Sequence, residues 1–182
     1  MKKLFLILAI MLISLPTYAT NWVEVKDKVY VDTDSIEPFV NDYGRIEPDK
    51  FIFWTKKMND NSNTFMSLEN YYKRLIGHFV DKEVIDFQLK RIAIKANNIY
   101  DTDSKLMNKF DIVNYRMDWH YITPDTNDQA IYDEVLKFKI KYDKEQEELA
   151  KKRQEEEEAK KQAELEKLEQ QTIKTSPKRK QQ

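Results

Sequence analysis

The chain has no cysteine. That absence excludes disulfides, thiolate nucleophiles, cysteine-based metal sites and a lipid attached through a cysteine at the export cut, so stability must come from packing. Histidine is scarce: only His78 and His120 occur, and their separation is not the helical His-x-x-x-His spacing of a metal pair. Each is read as structural. An excess of one charge is also missing, since 31 Lys and Arg stand against 32 Asp and Glu for a net charge of −1. This balance speaks against a nucleic-acid partner. After the first apolar stretch, the later apolar runs are broken by Lys or Asp within a few residues, so no transmembrane segment is expected beyond the leader.

What is present starts with a leader. Lys2 and Lys3 form a basic start, residues 4–15 are apolar apart from Ser14, and Pro16 precedes Thr17, Tyr18 and Ala19. An apolar stretch of about 12 residues rises only ~18 Å, short of a hydrocarbon core of about 30 Å, so it is read as a cleavable signal. Cleavage after Ala19 leaves 29 basic against 32 acidic residues, a charge of −3. The expected organisation is a signal at 1–19, a globular domain at 20–142, a charged helical extension at 143–171 and a disordered basic tail at 172–182. Residues 20–142 hold all three tryptophans, whereas residues 143–182 have no aromatic residue; the second stretch is too polar to bury a core.

The expected fold is α+β, an antiparallel sheet of about five or six strands covered by a C-terminal helix that extends into the tail. Trp22 to Val25 and Val29 to Val31 read as a hairpin. Residues 35–49, with Pro38, Gly44 and Pro48, read as an irregular connection before a strand at 50–56. A helix is expected over 66–79, although Tyr71, Tyr72 and Gly77 suit it poorly. Period-two alternation over 83–100 predicts one long strand, with a turn at Asp101 to Ser104 and a returning strand at 106–114. Thr126 and Gln129 fit a capping box, and Ile131, Val135, Phe138 and Tyr142 follow on one helical face as the lid of the core. Since 127–171 has neither Gly nor Pro, lid and tail are expected to be one helix.

Three groups of residues could carry chemistry or binding. Asp101, Asp103 and Lys105 imitate the start of a calcium loop, but Leu106 and Ile112 replace the required Gly and Glu, so a hairpin turn is the reading. Asp32, Asp34 and Glu37 could act as an acid/base pair, yet no His, Cys or Gly-rich loop accompanies them. Trp22, Trp54 and Trp119 could stack a ligand; packing in the core is the preferred assignment. In the tail, Glu147–Lys151, Glu148–Lys152, Glu156–Lys160 and Glu157–Lys161 are all in the favourable i, i+4 order, while the few apolar residues keep no heptad.

A series of landmarks resembles the surface-adhesin protein E family of bacterial envelope proteins. They are Trp22 with Val23 and Val25; Val29-Tyr30-Val31-Asp32; Asp34-Ser35-Ile36; Trp54 with Lys56; Ile85-Asp86; Tyr100-Asp101; and Trp119, Ile122, Pro124 and Asp125 before the last helix. The resemblance spans residues 21–138 and implies an antiparallel sheet with the helix tethered to it. Family members use a cysteine bridge for that tether; here Phe87 holds the first position, and the helix offers apolar residues near Val135 and Leu136, which implies packing in its place. The resemblance also implies attachment to host matrix or plasma proteins. The resulting expectation is an exported, non-enzymatic protein-binding module in the periplasm or at the cell surface, not lipid-anchored. It has no cofactor and no metal, its binding residues are unassigned, and its tail serves as a spacer or homodimerisation helix. The alternative is a periplasmic structural or envelope-stress protein.

N-terminal sequencing of the exported protein is expected to start within a residue or two of Thr20, on a product without lipid. A membrane-bound product that keeps the apolar segment would refute the signal assignment.

Overall fold

Alternating side chains and a two-residue link, Asp27 and Lys28, build the first hairpin. Strand β1 (Trp22–Lys26) pairs antiparallel with β2 (Val29–Val40), and Lys28 takes the left-handed conformation, φ 62°, that closes the turn. The computed structural model describes residues 20–175, with side chains to residue 165; the expected signal at 1–19 and residues 176–182 of the expected tail lie outside the described residues. Strand β3 (Ile46–Met58) follows, then helix α1 (Asn63–Tyr72), β4 (Ile76–Asp86), β5 (Arg91–Asp101), β6 (Leu106–Asp111), a 3-10 turn (Asn114–Arg116), β7 (His120–Tyr121) and helix α2 (Asn127–Thr175). The strands form one antiparallel seven-stranded sheet in the order β1-β2-β3-β4-β5-β6, curled into a half-barrel, with β7 paired to the start of β5.

Three local expectations need correction. Residues 35–49 are mostly strand, not irregular: only residues 41–45 turn, because the Asn41 side-chain oxygen accepts the N–H groups of Tyr43 and Arg45, and Gly44 sits at φ 73°. Pro38 borders one of the register shifts between β2 and β3, where a missing N–H is tolerated. Helix α1 is shorter and starts earlier than 66–79. It ends at Lys73 in the left-handed conformation, and the chain then enters β4, where Gly77 lies so close to β5 that an added Cβ would stand 2.5 Å from the Asp101 carbonyl oxygen. The stretch 83–100 is two strands. Its turn carries neither Gly nor Pro; Lys90 at φ 48° and the Asp86 carboxylate, which accepts the Leu89 N–H, make it instead.

The inner face of the sheet is apolar at both ends. Phe65 of α1 stacks on Phe79 at 4.3 Å and packs with Ile76 and Ile99. Toward the other end Phe51, Phe53, Ile85 and Ile92 are buried, as are Ile131 and Val135 of α2. Phe87 meets Phe51 edge-on at 5.9 Å and Tyr132 of α2 at 5.0 Å, so aromatic packing ties helix to sheet in a chain without cysteine. Thr126 starts α2, its hydroxyl accepting the Gln129 N–H at 3.3 Å. The outer face is not uniformly wet: Phe39, Ile52 and Val84 form a smaller cluster with Met117 and Trp119.

The chain divides into two units after Leu136, inside α2. In the second, helix continues to Thr175, four residues beyond the expected end at Gln171. Two of the four expected pairs form, Glu147–Lys151 and Glu157–Lys161, each at 2.8 Å and exposed. Phe138 is only partly buried, so the full-burial cost expected of a lid residue moves to Ile131 and Val135, both 0% exposed. Ile131→Ala is expected to cost about 2–5 kcal/mol in urea unfolding, and a loss below about 1 kcal/mol would show that this turn of α2 is not part of the core.

Candidate functional site

Strand register decides what the inner face displays. Val31, Thr55, Asp81, Asn97 and Phe110 are cross-strand partners in one row from β2 to β6; Val29, Lys57, Phe79, Ile99 and Asn108 form the next, and Phe53, Glu83 and Ile94 the row on the other side. Between the two apolar ends, therefore, lie Lys57, Asp81 and Glu83. The Lys57 ammonium stands 2.6 Å from Glu83 Oε1 and 3.5 Å from Asp81 Oδ2. The Asn97 amide donates to Asp81 Oδ1. Two buried oxygens in these rows, Thr55 Oγ1 and Glu83 Oε2, have no partner.

Two carboxyl groups share one ammonium here, and both are almost fully withdrawn from solvent. Burial pushes the Glu83 carboxyl above its ordinary value of 4.5, with Lys57 pulling against it, and burial likewise raises Asp81. On Lys57 burial acts downward, but the Glu83 and Asp81 carboxylates outweigh it and hold the ammonium above its ordinary value.

Above this cluster the inner face opens into two adjoining cavities that share Ile94 and Asn97. One, of about 340 Å³, has Val29, Phe65 and Phe79 as apolar wall, Lys57, Asp81 and Asn97 as charged and polar lining, and Thr64 and Asn127 among its other lining residues. The second, of about 520 Å³, is bounded by Phe110, Ile112, Arg116 and His120. His120 Nε2 lies 2.9 Å from Asp128 Oδ2.

None of the groups singled out in the sequence lines the first cavity. His78 is stacked on Tyr100 at 4.7 Å, and burial together with Lys56 holds it below its usual range. Asp101 accepts the N–H groups of Asp103 and Lys105 and pairs with Arg74, which is hairpin-turn chemistry. Asp32 accepts the N–H groups of Asn21 and Asp34. With Asp34 and Glu37 it borders a separate cavity of about 350 Å³ that Trp54 and Lys82 also line. Each tryptophan is half-buried with a cation over its ring, Lys56 on Trp22, Lys82 on Trp54, and Lys50 and Arg91 on Trp119, and Trp119 alone also packs against the Phe39, Ile52 and Val84 cluster. Among the described residues no group of three or more His, Cys, Asp and Glu is placed to hold a metal ion, and no helix is long and apolar enough to cross a membrane. Lys57, Asp81 and Glu83 were missed. Their signal was parity, since Asp81 and Glu83 alternate in step with Ile85 and Phe87.

Comparison with known proteins places solved structures of Haemophilus influenzae protein E near this fold. One crystal form is 13% identical, with 63% of this chain and 85% of that chain covered at a TM-score of 0.39. Protein E from a non-typeable strain is 14% identical, with 71% and 84% covered at 0.42. This is a likeness in fold at low score and low identity, and it assigns the chain no family. No family model matches the chain, and neither does any curated protein.

The cluster makes stability depend on pH in a definite direction. A carboxyl whose pKa is raised by folding binds more protons folded than unfolded, so its contribution grows as pH falls from neutral toward the ordinary value and is lost as pH rises. Glu83→Gln removes that contribution while Lys57 keeps Asp81. Between about pH 7 and about pH 5 the wild type should therefore gain stability relative to Glu83→Gln in urea unfolding, and parallel profiles would show that Glu83 is an ordinary carboxylate. Glu47, held below its usual range mainly by Lys50, acts in the opposite sense but is common to both proteins.

Proposed function

We propose that this chain is an exported, non-enzymatic protein-binding module that takes a segment of a partner protein, such as a host matrix or plasma protein, into the groove on the inner face of its sheet. The observation that carries this reading is the pair of adjoining cavities: apolar at the Phe65–Phe79 end and at the Phe110–Ile112 end, with Lys57, Asp81 and Asn97 lining the first and Glu83 buried beneath as a second carboxyl on the same ammonium. Such a groove suits a chain segment with apolar side chains on both sides of one basic residue, because an incoming cation supplies the charge the cluster lacks while the flanking groups leave water.

A binding role also suits the state of the ionisable groups. Lys57 is bonded to Glu83, Asp81 takes the Asn97 amide, and His120 faces Asp128. A groove of this kind recognises shape and charge without a nucleophile poised beside a base.

The mature protein, immobilised and offered matrix, plasma and envelope proteins, is expected to retain a partner. Thr64 is exposed on α1 and lines the first cavity. Thr64→Trp should therefore weaken retention about tenfold or more while leaving stability within about 0.5 kcal/mol. Retention equal to wild type would place the partner elsewhere on the molecule.

A further inference from the structure

Cross-strand register sets Trp22, Asp32, Trp54 and Lys82 in one row from β1 to β4, on the face of the sheet opposite the groove. Beside this row lies the cavity of about 350 Å³ that Asp32, Asp34, Glu37, Trp54 and Lys82 line, and Thr20 lines it with them. Three carboxyl groups of β2 therefore face a single ammonium from β4, while β3 supplies only the Trp54 ring, with Lys82 Nζ over it at 5.7 Å. The residue that reaches this surplus of negative charge is the first one after the expected end of the signal.

Thr20 is brought there by its neighbour. The Asn21 N–H donates to Asp32 Oδ1 at 3.1 Å, and the Asn21 side-chain amide donates to Thr33 Oγ1 at 2.9 Å. The Asn21 carbonyl accepts both the Thr33 N–H at 3.0 Å and the Thr33 hydroxyl at 3.2 Å. The far wall is fixed as well, because the Ser35 hydroxyl donates to the Asp32 carbonyl at 2.7 Å and accepts the Trp54 N–H at 2.9 Å. Chain ends fray unless they are tied down. Here the tie begins at the second residue of the expected mature chain.

We propose, resting on the export reading in which cleavage follows Ala19, that this cavity is the seat of the mature chain's own α-ammonium group at Thr20. In the precursor the Thr20 nitrogen is an amide joined to Ala19 and carries no charge. Hydrolysis adds water across the Ala19–Thr20 bond, leaves a carboxylate on the released signal and turns this nitrogen into an ammonium. The new cation stands one residue from the amide that already donates to Asp32 Oδ1. Three carboxylates then face two ammonium groups instead of one. Carboxylates close to an amine favour its charged form, so the contact stabilises the mature fold and is denied to the precursor. Removal of the signal and the stability of the first hairpin are thereby coupled.

The full mature chain, released at Thr20 from a cleavable fusion, is expected to hold its α-amino group about half a pH unit or more above the ordinary pKa of about 7.7–8.0, as read from the Thr20 resonances in an NMR titration. Asp34 and Glu37 are exposed, so Asp34→Asn/Glu37→Gln should return that value to the ordinary range while circular dichroism shows the fold intact. In urea unfolding at about pH 7, acetylation of the Thr20 amine should lower the folding equilibrium constant about threefold or more. An amine whose pKa is raised by folding stabilises only while it is charged, so this difference should vanish as pH rises through the raised value. A Thr20 amine that titrates in its ordinary range, or an acetylated chain as stable as the free one at about pH 7, would overturn the proposal and leave the export reading intact. A natural start other than Thr20 would also overturn it, and one more than a residue or two away would take the export reading with it.

Discussion

Strands β3 and β4 pair over nine consecutive residues, from Lys50 with Asp86 to Met58 with His78, without an irregularity. Neighbouring pairs of strands do have register shifts, between Asp32 and Glu37 on one side and at Lys82/Glu83 on the other. The unbroken centre therefore acts as the ruler for the sheet. Because side chains alternate with a period of two, a slip of one residue here would turn one strand over against the other, so that either Lys57 leaves the inner face and Lys56 and Trp54 enter it, or Asp81 and Glu83 leave it and Lys82 enters. Both sides of that exchange are costly. The same register that buries Phe51 and Phe53 also determines that a charged row separates the two apolar ends of the inner face.

That charged row is a poor means of stabilisation. Removing charges from water costs several kcal/mol per ion, and apolar residues of similar volume often do as well or better at such positions. Lys57, Asp81 and Glu83 thus hold the central strands in register at some expense to stability, since any other alignment leaves buried charges without partners. The unpartnered Glu83 Oε2 and Thr55 Oγ1 belong to the same expense. Thr55 lies in the same row as Asp81 and Asn97, which line the first cavity, and Glu83 lies in the adjoining row. On this argument the arrangement that weakens the core is also what distinguishes the groove chemically from a greasy cleft.

Much of the fold was legible, because it rests on local patterns: the β1–β2 hairpin, the returning strand β6, the capped start of α2 and the continuity of that helix all follow from alternation, capping groups and the lack of helix breakers. What misled was the absence of the usual punctuation. The β4–β5 turn is closed by Lys90 in a left-handed conformation and by the Asp86 side chain, so period-two alternation ran through it unmarked. Conversely, Pro38 and Pro48 suggested a loop where the strands continue past a register shift. The groove was illegible for a different reason. Lys57 lies more than twenty residues from Asp81 and Glu83 in sequence, and only cross-strand register brings them together. Trp22 and Trp54 were misplaced because hydrophobicity alone cannot distinguish a core ring from one sandwiched between a sheet and a lysine stem.

The two edges of the sheet differ in how far each is interrupted by irregularities. Strand β1 is five residues long, and its pairing with β2 is interrupted by a register shift between Glu24 and Lys26, so its free edge is short and irregular. Both features blunt an edge against unplanned pairing. Strand β6 has its shift at the other end, beside Tyr100 and Leu106, and runs in register with β5 from Asn108 to Asp111. Its protection is therefore charge and not geometry. The exposed Lys109 and Asp111 side chains set both signs of charge along this edge, and the Asn108 side-chain oxygen accepts the Lys109 N–H.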